Sequence, residues 1–363
     1  MNTNETAPDD GVGSSGVWSD APYKVRVGSI LGLILGVLLF VWALRAAGPG
    51  AVFDGVRRLG AGFAAVVILG GVRLFLRMLA WRLCLDSPEQ LPLGKGFRAF
   101  IAGDSLGNVT PFGLVISEPS KIFLTRRLVP PSASAPALTV ENLFYTATVV
   151  TLLLSGTAAL FLAFPVGGSV RIASETLLAG TVVFAIIGLW ILRTRRRLVS
   201  GLCERVIRHG VGQGYLAPRL GHIRHVEDQV FGFVDRHPDK VLPVLGLEIL
   251  FHSSAVAEIW LVLSLIAGAP ASMLTAFVLE YVNRSLTSVF QFVPLWLGVD
   301  EAGTGLVTAA LQLGPATGVS LALARKGRNL IWTAAGLILL LRQGFSVRST
   351  IRAARALTPD EID

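Results

Sequence analysis

GNVTPFGLVISEPSK, residues 107–121, is at odds with itself. It is apolar enough to sit in a bilayer. Yet Asn108, Pro111, Gly113, Glu118, Pro119 and Lys121 are residues that a membrane-crossing helix avoids. Pro111 removes a backbone donor and disfavours helix at Thr110. Pro119 fits the first turn of a new helix, where donors are unpaired anyway, with Ser117 before Glu118 as a small polar N-cap. The stretch therefore reads as helix, break, helix. Such a break is allowed at membrane depth only where protein or a wet cavity surrounds it.

The rest of the chain supplies that membrane. Of its 363 residues, 52% are hydrophobic and only 15% charged, against about 25% charged in a soluble domain. Mean hydropathy is +0.63, and the apolar surplus comes in long runs. Spans are expected at about 25–44, 62–85, 135–164, 175–192, 241–267, 273–294 and 317–341. Residues 1–22 are polar and acidic and read as a disordered tail. A membrane domain over 23–343 follows, with a first half at about 23–192, a cytoplasmic segment over 193–240 and a second half over 241–343. Residues 344–363 form a basic cytoplasmic tail. The fold class is an all-α integral membrane protein with seven to eight transmembrane helices, plus broken or re-entrant hairpins in a pseudo-repeat.

The formal net charge of +8 is clustered. Ten basic residues fall between Arg193 and Lys240, which puts that segment and both termini on the cytoplasmic side of a cell membrane. Such clustering reports topology and anionic lipid before nucleic acid. No nucleic-acid module is present, and no nucleic-acid partner is expected. Ile223, Val226, Val230 and Phe233 recur at helical spacing inside the segment. They mark an amphipathic helix that either lies on the membrane or joins two spans. Cys84 and Cys203 lack metal-ligand spacing and read as reduced thiols. His222 and His225, with Glu227 and Asp228 nearby, lack the converging ligands of a metal site. No metal and no cofactor is expected.

The opening stretch has a twin. When Pro111 is set against Pro294, SLGNVTPFGLVISEPSK matches SVFQFVPLWLGVDEAGT. An amide precedes each proline by three residues (Asn108, Gln291). A glycine follows (Gly113, Gly298), and a glutamate lies seven residues on (Glu118, Glu301), each after a small polar N-cap candidate, Ser117 or Asp300. Downstream, Glu141 and Arg325 occupy comparable places in the next span of each half. Paired interrupted segments are a sequence pointer to a transporter's binding site.

Charges inside spans cost roughly 2.5–3.5 kcal/mol each at mid-helix and default to function. Glu280 and Arg284 are one turn apart and can pair, as can Glu248 and His252. Arg325 and Arg328 share a face with no local acid and need a carboxylate or a phosphate from elsewhere. The candidate substrate-binding residues are therefore Asn108, Glu118, Lys121, Glu141, Arg284, Gln291, Glu301, Arg325 and Arg328. Helix N-termini, Arg325, Arg328 and Lys121 would hold a phosphate, while Glu118 and Glu301 balance charge, or carry a proton if burial raises their pKa.

With GNVTPFGLVISEPSK and FVPLWLGVDEAG, and with VENLFY and ARKGRNLIW at the expected places, the chain resembles the transmembrane, flippase-like region of lysylphosphatidylglycerol synthases. The likeness covers nearly everything after the N-terminal tail. Against that family's pattern, Ser117 replaces a glycine, Lys121 supplies the basic residue, and Asn142 stands where an arginine follows the glutamate. The resemblance implies lipid handling: movement of a charged or modified lipid between leaflets, without the soluble aminoacyl-transferring domain. The expected partner is a membrane lipid with a charged head group, with a second copy or a lipid-modifying enzyme as further partners. The alternatives are a membrane-embedded transferase, for which no nucleotide loop or nucleophile–base signature is present, and a non-transporting partner subunit.

Overall fold

The computed structural model describes residues 38–110, 113–165, 167–194, 198–209, 217, 220–267, 269–291 and 293–342. The N-terminal tail, most of the first span, Pro111, Arg195–Arg197, Arg219 and the basic C-terminal tail lie outside the described residues. Within them the chain is helical, with no strand. The α-helices are α1 Leu38–Ala47, α2 Pro49–Leu59, α3 Gly62–Cys84, α4 Leu93–Asn108, α5 Gly113–Thr125, α6 Pro131–Ala163, α7 Gly168–Thr194, α8 Leu198–Arg208, α9 Leu220–Arg236, α10 Pro238–Ala267, α11 Met273–Val289, α12 Val299–Ala310 and α13 Pro315–Arg342.

Proline sets the start of α2, α6, α10 and α13, where its missing donor costs nothing. Four of the described helices, α3, α6, α7 and α10, are long and apolar enough to cross a bilayer. α13 is 28 residues long and carries Arg325, Lys326 and Arg328 at its middle. The protein is an all-α membrane protein. α7 shows how it meets its solvent. Only Ser174 and Thr181 are buried along it, while Ile172, Phe184, Ile186 and Trp190 stand exposed, a surface suited to hydrocarbon and not to water.

Set in chain order, the helices of the two halves line up, and their packing is crossed. α3, α4, α5 and α6 correspond to α10, α11, α12 and α13. α3 packs on α10; α4 packs on α13, and its counterpart α11 packs on α6. Glycines allow the closest approaches. A side chain at Gly336 would run into Ser105 and Ile101, joining α13 to α4. One at Gly156 would run into Tyr281, joining α6 to α11.

Both interrupted segments are broken as expected. α4 ends at Asn108 and α5 starts at Gly113. The pair forms an antiparallel hairpin so close that a Cβ at Gly107 would sit 2.8 Å from the Gly113 carbonyl oxygen and 2.9 Å from Ser117 Cβ. In the second half α11 ends at Val289, and a 3-10 turn over Pro294–Trp296 precedes α12. The turn requires positive φ at Leu295 (54°), Trp296 (48°) and Gly298 (79°).

Two local expectations are corrected. Pro119 lies inside α5, not in its first turn, and Ser117 is likewise internal. The ring removes the helical bond to the carbonyl of Val115, a residue 69% exposed. Asp300 is not the N-cap of α12; Gly298 is, and its N–H donates to Glu301 Oε2 at 2.8 Å.

The amphipathic helix is α9. Its apolar stripe docks on protein. Phe233 is buried, its ring centroid is 6.1 Å from that of Phe144 on α6, and Val230 packs in the same cluster. Ser200 of α8 hydrogen-bonds Glu227 of α9, tying the two helices together.

Candidate functional site

Three of the long helices, α3, α6 and α10, contribute to one apolar core near one end and another near the other, with a polar belt between. On α3, Val66 belongs to one core and Met78 and Trp81 to the other, with Arg73 and Arg77 between them. On α6, Glu141, Asn142 and Tyr145 separate Leu138 from Val149. On α10, Glu248 and His252 separate Val244 from Ile259. Ion pairs between helices join these belts: Arg77 of α3 with Glu141 of α6, and Arg73 of α3 and Arg328 of α13 with Glu258 of α10, making one charged layer.

The layer is built from ion pairs. Arg77 binds Glu141 at 2.7 Å and donates to Asn142 Oδ1 at 3.1 Å. Arg284 binds Glu280 at 2.9 Å, the i,i+4 pair expected from spacing, and donates to the Tyr145 hydroxyl at 2.7 Å. Glu258, fully buried, takes two cations: Arg73 at 3.2 Å and Arg328. Arg325 binds Asp300 at 2.6 Å and donates to Thr304 Oγ1 at 3.1 Å. Lys326 pairs with Glu301. Lys121 binds Glu118 at 2.9 Å with its ammonium 4.0 Å from the centre of the Phe100 ring. Aromatic faces line the rest: the Arg77 guanidinium lies 4.1 Å over Tyr145 and that of Arg73 4.7 Å over Phe251.

Placement of the expected residues is mixed. Glu118, Lys121, Glu141, Arg284, Glu301, Arg325 and Arg328 all fall in the layer. Asn108 stands at its edge, donating to Asp104 at 3.2 Å and to Thr333 of α13 at 3.3 Å. Gln291 does not join it. It sits exposed in the turn after α11, because the second break opens two residues before it. Glu248 and His252 do not pair. The imidazole stacks on Tyr145, with ring centroids 5.9 Å apart, and its Nε2 hydrogen-bonds Thr148 Oγ1 at 3.3 Å. The acids that meet Arg325 and Arg328 are Asp300, 25 residues upstream, and Glu258, on another helix. Asp300 and Glu258 were not among the candidates from sequence. A run of span acids without local bases was the available signal for Glu258.

In this conformation the layer is closed. None of the paired side chains in it is more than 17% exposed. The Lys121, Arg325 and Arg328 cations, expected to be open to phosphate, are held by Glu118, Asp300 and Glu258. Two cavities among the described residues lie away from it. One is lined by Leu38, Trp42 and Arg45. Another, of about 190 Å³, lies between α3, α6 and α9. Some capacity stays unused: Nε and Nη1 of Arg325 and Nε of Arg73 are buried without a hydrogen-bond partner. The Glu258 triad also carries two cations for one carboxylate.

An all-helical membrane bundle with a charged mid-helix layer between two cross-packed repeats is the architecture these residues define. The chain belongs to the family of the lysylphosphatidylglycerol synthase TM region, whose sequence model matches residues 29–336. No curated protein and no solved structure matches the chain.

Proposed function

We propose that the protein moves a lipid with an anionic head group between the leaflets of the cell membrane, by opening the charged layer between its two repeats. The observation that carries this reading is the Arg73–Glu258–Arg328 triad: two guanidinium groups on one fully buried carboxylate at the junction of α3, α10 and α13. A buried ion costs several kcal/mol to dehydrate. A layer of them is retained where something charged must pass. A head-group phosphate would compete with Glu258 for Arg73 and Arg328 and engage the unused nitrogens of Arg325.

The hairpins fit this role. α4 and α5 have 16 and 13 residues, about 24 and 20 Å of helix, each short of the ~30 Å hydrocarbon core. A re-entrant pair that dips in and returns suits such lengths, and breaks of this kind line polar paths in transporters. The basic segment 193–240 and both termini face the cytoplasm in this reading. The work is transport, with no bond made or broken.

The test is reconstitution into vesicles containing head-group-labelled lipids, following the accessibility of the label to a membrane-impermeant quencher. Wild type exchanges an anionic lipid between leaflets. Arg328→Gln, Glu118→Gln and Glu301→Gln slow it at least tenfold. Absence of exchange by wild type across anionic, zwitterionic and isoprenoid lipids would refute the proposal. Product formation from a soluble donor would replace it with a transferase.

A further inference from the structure

One group in the layer has no assigned work. Glu248 of α10 is wholly buried, and both its carboxyl oxygens lack a hydrogen-bond donor among the described residues. The groups facing it are Arg77 and Cys84 on α3, Glu141 on α6 and Arg284 on α11, and Glu141 is faced in turn by Glu118 and Lys121 of α5, which pair with each other. Neither cation is free for it. Arg77 is spent on Glu141 and Asn142, and Arg284 on Glu280 and Tyr145. The Glu141 carboxyl lies within hydrogen-bonding reach of Glu248, and Glu141 is itself 1% exposed. Two buried carboxylates side by side, with Arg77 paired to only one of them, leave one negative charge without a direct partner. A single proton removes that charge and turns the contact into an O–H···O⁻ hydrogen bond.

We propose that Glu141 and Glu248 form a proton-binding site, in which one proton is held between the two carboxyl groups beside Arg77. The balance is simple. A hydronium delivers the proton when the layer is wet; the Glu248 hydroxyl donates to Glu141 when it closes; reopening returns the proton to water. Proton exchange thus accompanies opening of the layer on the face where α10 meets α3 and α6. The site stands on these contacts alone and holds whether or not a lipid is moved.

Infrared difference spectroscopy of the purified full chain tests this without any transport assay. At neutral pH, wild type minus Glu248→Gln contains the carbonyl stretch of one protonated carboxyl, shifted in D₂O. Glu141→Gln also abolishes that band, because Glu248 then ionises to become the partner of Arg77. Glu301→Gln retains it. Loss of carboxylate bands in place of a protonated one in the Glu248→Gln difference overturns the proposal. Where Glu248→Gln does not fold, the Glu141→Gln spectrum reads the band independently, and its persistence overturns the site.

Discussion

Glu258→Gln is the most informative single change. Its carboxylate answers both Arg73 and Arg328, and it is fully buried. Removing one partner of a buried pair costs about 3–5 kcal/mol, because the other charge is left uncompensated. Here two guanidinium groups are left, and the amide returns only one weak acceptor. At roughly 2 °C per kcal/mol for a chain of this size, the melting temperature in detergent falls by about 6–10 °C. Replacing the whole triad by Arg73→Met, Glu258→Leu and Arg328→Met removes the dehydration cost together with the pairing. Its melting temperature returns to within a few degrees of wild type, as apolar replacements of buried ion clusters do. Lipid exchange in vesicles then separates stability from work: the triple variant is stable and inactive. If Glu258→Gln melts with wild type, the triad does not bear on stability and the reasoning fails. If the triple variant exchanges lipid normally, the triad only registers helices.

Three further outcomes are expected. Gly107→Val pushes a side chain against the Gly113 carbonyl and Ser117; it destabilises by about 1–3 kcal/mol through overpacking, whereas Gly180→Val on α7, with open space around it, leaves the melting temperature unchanged. Phe233→Ala removes the anchor of α9 on α6 and costs about 3–5 kcal/mol of local packing, seen as faster hydrogen exchange confined to α8 and α9. A membrane-impermeant maleimide labels Cys203 and spares buried Cys84, and does so only when added from the cytoplasmic side; labelling from outside would invert the proposed topology.

Much of this architecture was legible because its signals are local. The apolar runs placed α3, α6, α7, α10 and α13 to within a few residues at most ends. Proline and glycine placed the two breaks, and the four-residue spacing of Glu280 and Arg284 gave their bond. What could not be read depends on packing between distant segments. Which acid meets Arg328 is decided by the contact of α10 with α13, and Glu258 lies 70 residues away. The Glu248–His252 spacing allowed a pair, but Tyr145 from α6 captured the imidazole first. Gln291 matched Asn108 in the alignment, yet the second break opens earlier than the first and leaves it outside. The short helix α2 escaped notice because its apolar content is too low for a span, although Val52 and Leu59 are buried. Closure of the layer was also out of reach of the sequence, since a row of charges looks the same whether its partner is a neighbouring helix or a ligand.

The crossing of α4 onto α13 and of α11 onto α6 bears on how the chain could be cut. Neither repeat owns the surfaces that complete it, so each is closer to one subunit of an intertwined dimer than to an independent domain. A gene divided between α7 and α8 should give two fragments that are each unstable alone and recover only on co-expression. Duplicated ancestors of such a chain would have had to assemble from two separate polypeptides before fusion made the exchange intramolecular.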